Sequence, residues 1–305
     1  MSETVSLDRL QARFGLPGAL RFEEGPNGLI RAVVTAAAAE AHVYLHGGHV
    51  THYQPRGQAP VLFMSRQSLF APGKAIRGGV PIIFPWFGAR AGDPSAPQHG
   101  FARVAAFDVE STRRDDDGSV SVVLRLEPTE ALRRVWPHAF AVRYAVRVGA
   151  ALDLAFGTHN LSDGPLLFEE ALHTYLAVSD VREVSVAGLA GTTYIDKTDG
   201  MTRKVEGPAP VRLTAETDRV YLDTRATCVV DDPRGGRRLV VDKQGSASTV
   251  VWSPWMAKAQ AMADLGDDEW TALLCIETAN AADDAVTLAP GATHTMRAVI
   301  RAEAR

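Results

Sequence analysis

Cysteine is almost missing. Cys228 and Cys275 are the only two in 305 residues, and each sits in an apolar stretch. They could pair, but the expectation is two buried free thiols in a reducing cytoplasm. Excess charge is missing too: 32 Lys and Arg against 36 Asp and Glu leave a net charge of −4. Neither nucleic acid nor an anionic membrane is therefore expected as a partner, and an anionic ligand would need locally clustered cations. No apolar run approaches the roughly 20 residues that cross a bilayer. The opening "MSETVSLDRLQARFG" carries no basic-then-apolar leader pattern. P-loop and G-x-G-x-x-G fingerprints are absent, which argues against nucleotide chemistry.

What is present is a chain that alternates. Hydrophobic residues make up 46%, enough for a sizeable core. In "SVSVVLRLEP" the residues Val120, Val122, Leu124 and Leu126 fall on one side of an extended chain. "FAVRYAVRV" and "LDLAFGTHNL" read as a hairpin, and "ATCVVDDPRGGRRLVVDK" as strand, turn, strand. "TALLCIETAN" is an almost continuous apolar run, the mark of a strand buried on both faces. Helical signals are few: Leu7, Leu10 and Phe14 share a face over residues 6–14, and "PTEALRRVW" could form two turns. The expectation is an all-β fold, a large antiparallel β-sandwich with a few short helices, in one domain spanning 1–305.

Against this background several polar residues stand out. "PLLFEEALHTYLAVSD" puts Glu169, Glu170 and His173 into one run of strand formers. On a continuous strand His173 shares a face with Glu169, Ala171 and Tyr175, while Phe168, Leu172 and Leu176 face a core. Such a face suits a ligand groove, though an exposed strand with an incidental histidine fits the segment equally. Glu277 ends the apolar run "ALLCI"; it is either an exposed strand end or, buried there, a carboxyl of raised pKa that could act as a general base. "KAIRGGVPIIFPWFG" combines Arg77, a glycine pair, two prolines and the rings of Phe84, Trp86 and Phe87. It reads as an irregular wall, either for a sugar face or packed onto the core. "PQHGFAR" gathers Gln98, His99 and Arg103, and the Arg77–Arg103 pair could clamp a phosphate. "HVYLHGGHVTHY" holds His42, His46, His49 and His52, but its glycines and alternation read as strand, and no H-E-x-x-H pattern occurs. No metal site is expected there.

Taken in order, "IRGGVPIIFPWFG", "PQHGFAR", "EEALHTYL", "ETDRVY", "VVWSPWMAK" and "CIETAN" resemble the hexose-6-phosphate mutarotases, or glucose-6-phosphate 1-epimerases. These belong with the broader aldose 1-epimerases, which include galactose mutarotase. The matching segments run from about residue 74 to 280. The resemblance implies a β-supersandwich with a shallow sugar groove, a histidine acid at His173 and a glutamate base at Glu277. It further implies substrate contacts at Arg77, Gln98 and Arg103, a second histidine at His99 near the ring oxygen, and Asp218 holding sugar hydroxyls.

The implied reaction interconverts anomers by opening and reclosing a hemiacetal. It needs one proton acceptor and one donor and no cofactor, and each such group contributes about 10²- to 10⁴-fold. On this expectation His173 is protonated while Glu277 is ionised. Activity then falls at low pH as the glutamate protonates and at high pH as the histidine deprotonates. A small sugar phosphate is the expected partner, and the protein is expected to be monomeric. Alternatives are a mutarotase of free aldoses, a non-catalytic carbohydrate-binding sandwich and, through Glu169 and Glu170 alone, a glycoside hydrolase.

Overall fold

The computed structural model describes residues 6–305; residues 1–5, the start of the stretch read as leaderless, lie outside them. Strands dominate, and every ladder between them is antiparallel. Four strands, Leu20–Glu24, Ile30–Thr35, Ala39–Tyr44 and Val50–Pro55, form a meander in chain order. An eight-stranded sheet has Asp108–Arg114 at one edge and Ser185–Ala187 at the other; the hairpin Phe140–Val148 and Leu152–Asn160 lies inside it. A second eight-stranded sheet is built around Leu273–Asn280, which pairs with Ser248–Ser253 on one side and with Glu170–Leu172 and Tyr175–Ala177 on the other. One hydrophobic cluster extends from Leu10 to Ile300 and takes side chains from these three sheets and from the two-stranded ladder of Leu166–Phe168 with Val286–Leu288.

The alternation is read out as expected. Val120, Val122, Leu124 and Leu126 are all buried, and Leu273–Asn280 is buried at every position. Both short helices form where their caps stand. The Ser6 hydroxyl accepts from Arg9 N ahead of Leu7–Phe14, and the Thr129 hydroxyl accepts from Leu132 N ahead of Glu130–Val135. Both cysteines are buried and free. Among the described residues, no helix is long and apolar enough to cross a membrane.

The run 165–180 departs from expectation. It is three short strands, Leu166–Phe168, Glu170–Leu172 and Tyr175–Ala177. Its backbone N–H groups at Glu169, His173 and Tyr175 donate to Pro85, Pro81 and Gly79 oxygens. The two prolines have no N–H with which to return those bonds, so the ladder breaks up. The interruption shapes the site, because His173 emerges at a break between strands.

The aromatic wall is also resolved against the sugar reading for two of its rings. Phe84 is fully buried, with the rings of Phe101, Trp136, Phe140, Phe156 and Phe168 at centroid distances of 5.4–6.1 Å. Trp86 is buried beside it. These two are core residues, and of the three rings singled out only Phe87 reaches the cavity described next.

Candidate active site

Strand register builds the floor. Asp218 stands opposite Trp252, Trp252 opposite Cys275, and Cys275 opposite Tyr175. Directly paired residues share a face, so these four side chains form a row across four strands. Glu277, two residues beyond Cys275, lies on the same face. The walls come from outside the sheet: Arg77, Phe87–Ala89, Gln98, His99, Arg103, Lys197, Met262 and, from the short helix Trp255–Gln260, Lys258. Together they enclose a cavity of about 460 Å³. All seven residues singled out from sequence, Arg77, Gln98, His99, Arg103, His173, Asp218 and Glu277, line it.

His173 Nε2 lies 3.3 Å from Glu277 Oε1, and both residues are buried. Burial pushes the Glu277 carboxyl well above the usual carboxylate range; nearby Asp218 adds to this and Lys197 opposes it. Burial likewise holds the His173 imidazole well below its ordinary value, with His99, Arg77 and Arg103 contributing. The two groups in contact therefore hold one proton between them over a wide pH range, and desolvation favours the uncharged arrangement, acid beside neutral imidazole. This is the opposite of the expected imidazolium beside an ionised glutamate.

His99 is fixed more firmly than its sequence suggested. It adopts a φ of 63°; its N–H donates to Gly88 O, and its Nδ1 accepts from Gly88 N–H at 3.1 Å. Burial, with Arg103, Lys197 and Arg77 nearby, lowers its pKa to about 3. A neutral ring whose Nδ1 is an acceptor carries its hydrogen on Nε2, so His99 is a standing hydrogen-bond donor.

The cations are partly neutralised. Arg77 donates to the Tyr175 hydroxyl at 2.9 Å and meets Asp264 Oδ2 at 3.1 Å, while its Nε is buried without a partner among the described residues. Arg103 donates to the Gln98 carbonyl at 2.6 Å. Lys197 meets Asp218 at 3.1 Å and lies over the Phe87 ring, and Lys258 pairs with Glu216.

The Arg77 loop owes its course to glycine and histidine. Gly78 and Gly79 have φ of 111° and 62°, and a Cβ on Gly79 would come within 2.2 Å of Val50 O. His49, fully buried, bonds Gly78 O through Nε2 at 2.7 Å, and His46 bonds Lys74 O at 2.7 Å. Two of the four clustered histidines thus bracket the loop that carries Arg77. Among the described residues no group of three or more His, Cys, Asp or Glu side chains is arranged to hold a metal.

The sequence model of the aldose 1-epimerase family matches residues 32–301. The chain belongs to the aldose 1-epimerase family. A Cenchrus ciliaris protein provisionally named glucose-6-phosphate 1-epimerase is 36% identical over 275 residues, covering 87% of this chain and 82% of its own. An Escherichia coli strain K12 protein with the same provisional name is 35% identical over 251 residues, covering 82% and 83%. The crystal structure of a Salmonella typhimurium protein, provisionally described as a mutarotase, superposes with a TM-score of 0.89 at 30% identity over 96% of both chains. A galactose mutarotase-like protein of Clostridium acetobutylicum shares the fold at 15% identity, with a TM-score of 0.74 over 94% of this chain and 98% of its own. The expected all-β, galactose mutarotase-like sandwich is the fold found, and the protein is an enzyme of the epimerase class.

The glycoside hydrolase alternative, which rested on Glu169 and Glu170, loses both of them. Glu169 is committed to the backbone N–H groups of Phe87 and Ala282, at 2.9 and 2.8 Å. Glu170 is fully buried on His294 and Asn280, at 3.0 and 2.9 Å. Neither lines the cavity. Residues that sequence reasoning did not single out are Lys197, Asp264 and, within "VVWSPWMAK", Trp252 and Lys258. Lys197 and Asp264 are single members of the charged stretches "YIDKTDG" and "MADLGDDEW", and nothing in such stretches distinguishes them from solvated turn residues.

Proposed function

We propose that this enzyme interconverts the α and β anomers of a hexose 6-phosphate, glucose 6-phosphate foremost, acting as a single-domain monomer in the cytoplasm. The observation that carries the proposal is one cavity holding a contacting His173–Glu277 pair beside Arg77 and Arg103. An acid and a base must reach two oxygens bonded to the same anomeric carbon, and a pair in contact suits that spacing. The provisional names of the relatives point to the same substrate.

In the proposed cycle Glu277 takes the proton of the anomeric hydroxyl while His173 gives one to the ring oxygen. The bond between the anomeric carbon and the ring oxygen breaks, leaving an open aldehyde. Rotation about C1–C2 presents the other face, and reclosure runs both transfers backwards. Halfway through, His173 is neutral and Glu277 protonated, the arrangement that burial favours. The step itself starts from the other placement of the same proton, on His173, so reaching that less populated arrangement is part of the barrier. His99 donates to a sugar oxygen, Asp218 and Lys197 hold hydroxyls, and Arg77 and Arg103 seat the phosphate. The free-aldose reading is favoured by one observation, the pairing of Arg77 with Asp264.

Anomer-resolved NMR of glucose 6-phosphate tests the proposal: the protein should accelerate equilibration, and a rate equal to the uncatalysed one would end it. The pH dependence follows from the shared proton. A second proton enters only as pH falls below His173's lowered value, so the acid limb should lie well under 6.5. The last proton leaves as pH rises through Glu277's raised value, which sets the alkaline limb. A sulfate ester of glucose is the substrate of choice here, since the phosphate ester itself titrates near pH ~6. An acid limb at or above 6.5 would show that the two groups are not desolvated as described.

A further inference from the structure

We infer that Tyr175 is a positioning residue that ties the plane of the His173 imidazole to the anion seat at Arg77. The inference rests on the proposed sugar-phosphate substrate. The Tyr175 ring lies almost parallel to the imidazole, with centroids 4.7 Å apart and planes 11° from coincidence. Trp252 meets both rings edge-on, 5.9 Å from each and at 74°.

A working histidine is commonly held by a hydrogen bond to the nitrogen facing away from the chemistry. Here that nitrogen, Nδ1, is buried and meets no described partner beyond its own residue's backbone. Ring packing takes the place of that bond: Tyr175 covers one face, and Trp252 and His99 present edges, the latter at 6.1 Å.

The tyrosine is itself held at both ends. Its backbone N–H donates to Gly79 O and its carbonyl accepts from Phe63 N–H, at 2.9 and 3.0 Å. Its hydroxyl accepts from Arg77 at 2.9 Å, and the other terminal nitrogen of Arg77 reaches Asp264. One guanidinium therefore serves as anion contact and as anchor for the ring that backs the imidazole. A phosphate needs the Arg77 that Tyr175 and Asp264 hold in place; a neutral sugar does not. Anion occupancy is thereby read by the residue that sets the tilt of His173.

Two variants separate the halves of this claim, each followed by anomer-exchange NMR on glucose 6-phosphate and by thermal melts. Tyr175→Phe keeps the stacked ring and removes a hydrogen bond to a charged group, so KM should rise about 10-fold with a smaller change in kcat. Tyr175→Leu removes the flat face, and a slight misplacement of the imidazole costs on the order of 100-fold in kcat, with a smaller change in KM. Its acid limb, read on the sulfate ester, should also move up towards 6.5 as water reaches His173. Equal losses in kcat and KM for both variants, or a wild-type kcat for the leucine variant, would overturn the inference. Should the leucine variant not fold, the phenylalanine variant decides: a raised KM supports the link and an unchanged KM refutes it. A wild-type protein that leaves glucose 6-phosphate at its uncatalysed rate sinks the substrate reading instead, which keeps the two failures distinct.

Discussion

Glu277→Gln should lose about 10²- to 10⁴-fold in kcat/KM, the range of a single positioned proton acceptor, and should melt at a higher temperature than the wild type. The activity loss follows because an amide cannot take the anomeric proton. The stability gain follows from linkage. Glu277's folded value is raised, so its contribution to stability is fully present below 4.5 and is lost as pH rises through the folded value. Glutamine does not titrate, and it is close in shape to the protonated acid. Melts should therefore nearly coincide in acid, with the variant pulling ahead as pH rises towards 9. Parallel melting and NMR exchange measurements check both halves. A variant within tenfold of wild-type activity would remove Glu277 from the chemistry, and one equally destabilised at every pH would show that its carboxyl makes contacts an amide cannot.

Arg77→Ala should cost about 10- to 100-fold in kcat/KM on glucose 6-phosphate, the range for lost hydrogen bonds to a charged group, and distinctly less on free glucose. Arg103 remains to attract the anion, which keeps the loss finite. Some loss on free glucose is still expected, because the alanine also releases the Tyr175 hydroxyl. The ratio of the two losses is the decisive quantity, measured by polarimetry on both sugars with one protein preparation. Equal losses would mean that Arg77 shapes the site without seating a phosphate, and the free-aldose reading would then stand.

The sheet-forming part of this molecule was plain in the sequence because alternation is a local property. Val120–Leu126 and Leu273–Asn280 need only their own side chains to declare which faces are buried. The histidine and the glutamate could be singled out because each is an expensive residue in an otherwise apolar run. The direction of a loop's side chains could not be read the same way. Phe84, Trp86 and Phe87 sit in four residues, yet two enter the core and one lines the cavity, as the packing around Trp136 and Phe140 dictates. The break in 165–180 depends on Pro81 and Pro85, some ninety positions away along the chain. Protonation was hidden for a related reason: an ionised pair is natural for two isolated groups, and only their depth in the fold reverses it. The clustered histidines show the converse, a conspicuous local pattern whose use, steadying the Arg77 loop, is set by distant carbonyls.

Cys275 stands in the row between Trp252 and Tyr175 and is wholly buried. Burial, with Glu277 beside it, holds its thiol well above the usual range. A thiol held in its neutral form is a poor target for peroxide or alkylating reagents. The floor of the site is thus chemically quiet despite carrying sulfur, and labelling of Cys275 becomes a clock for how often the floor comes apart.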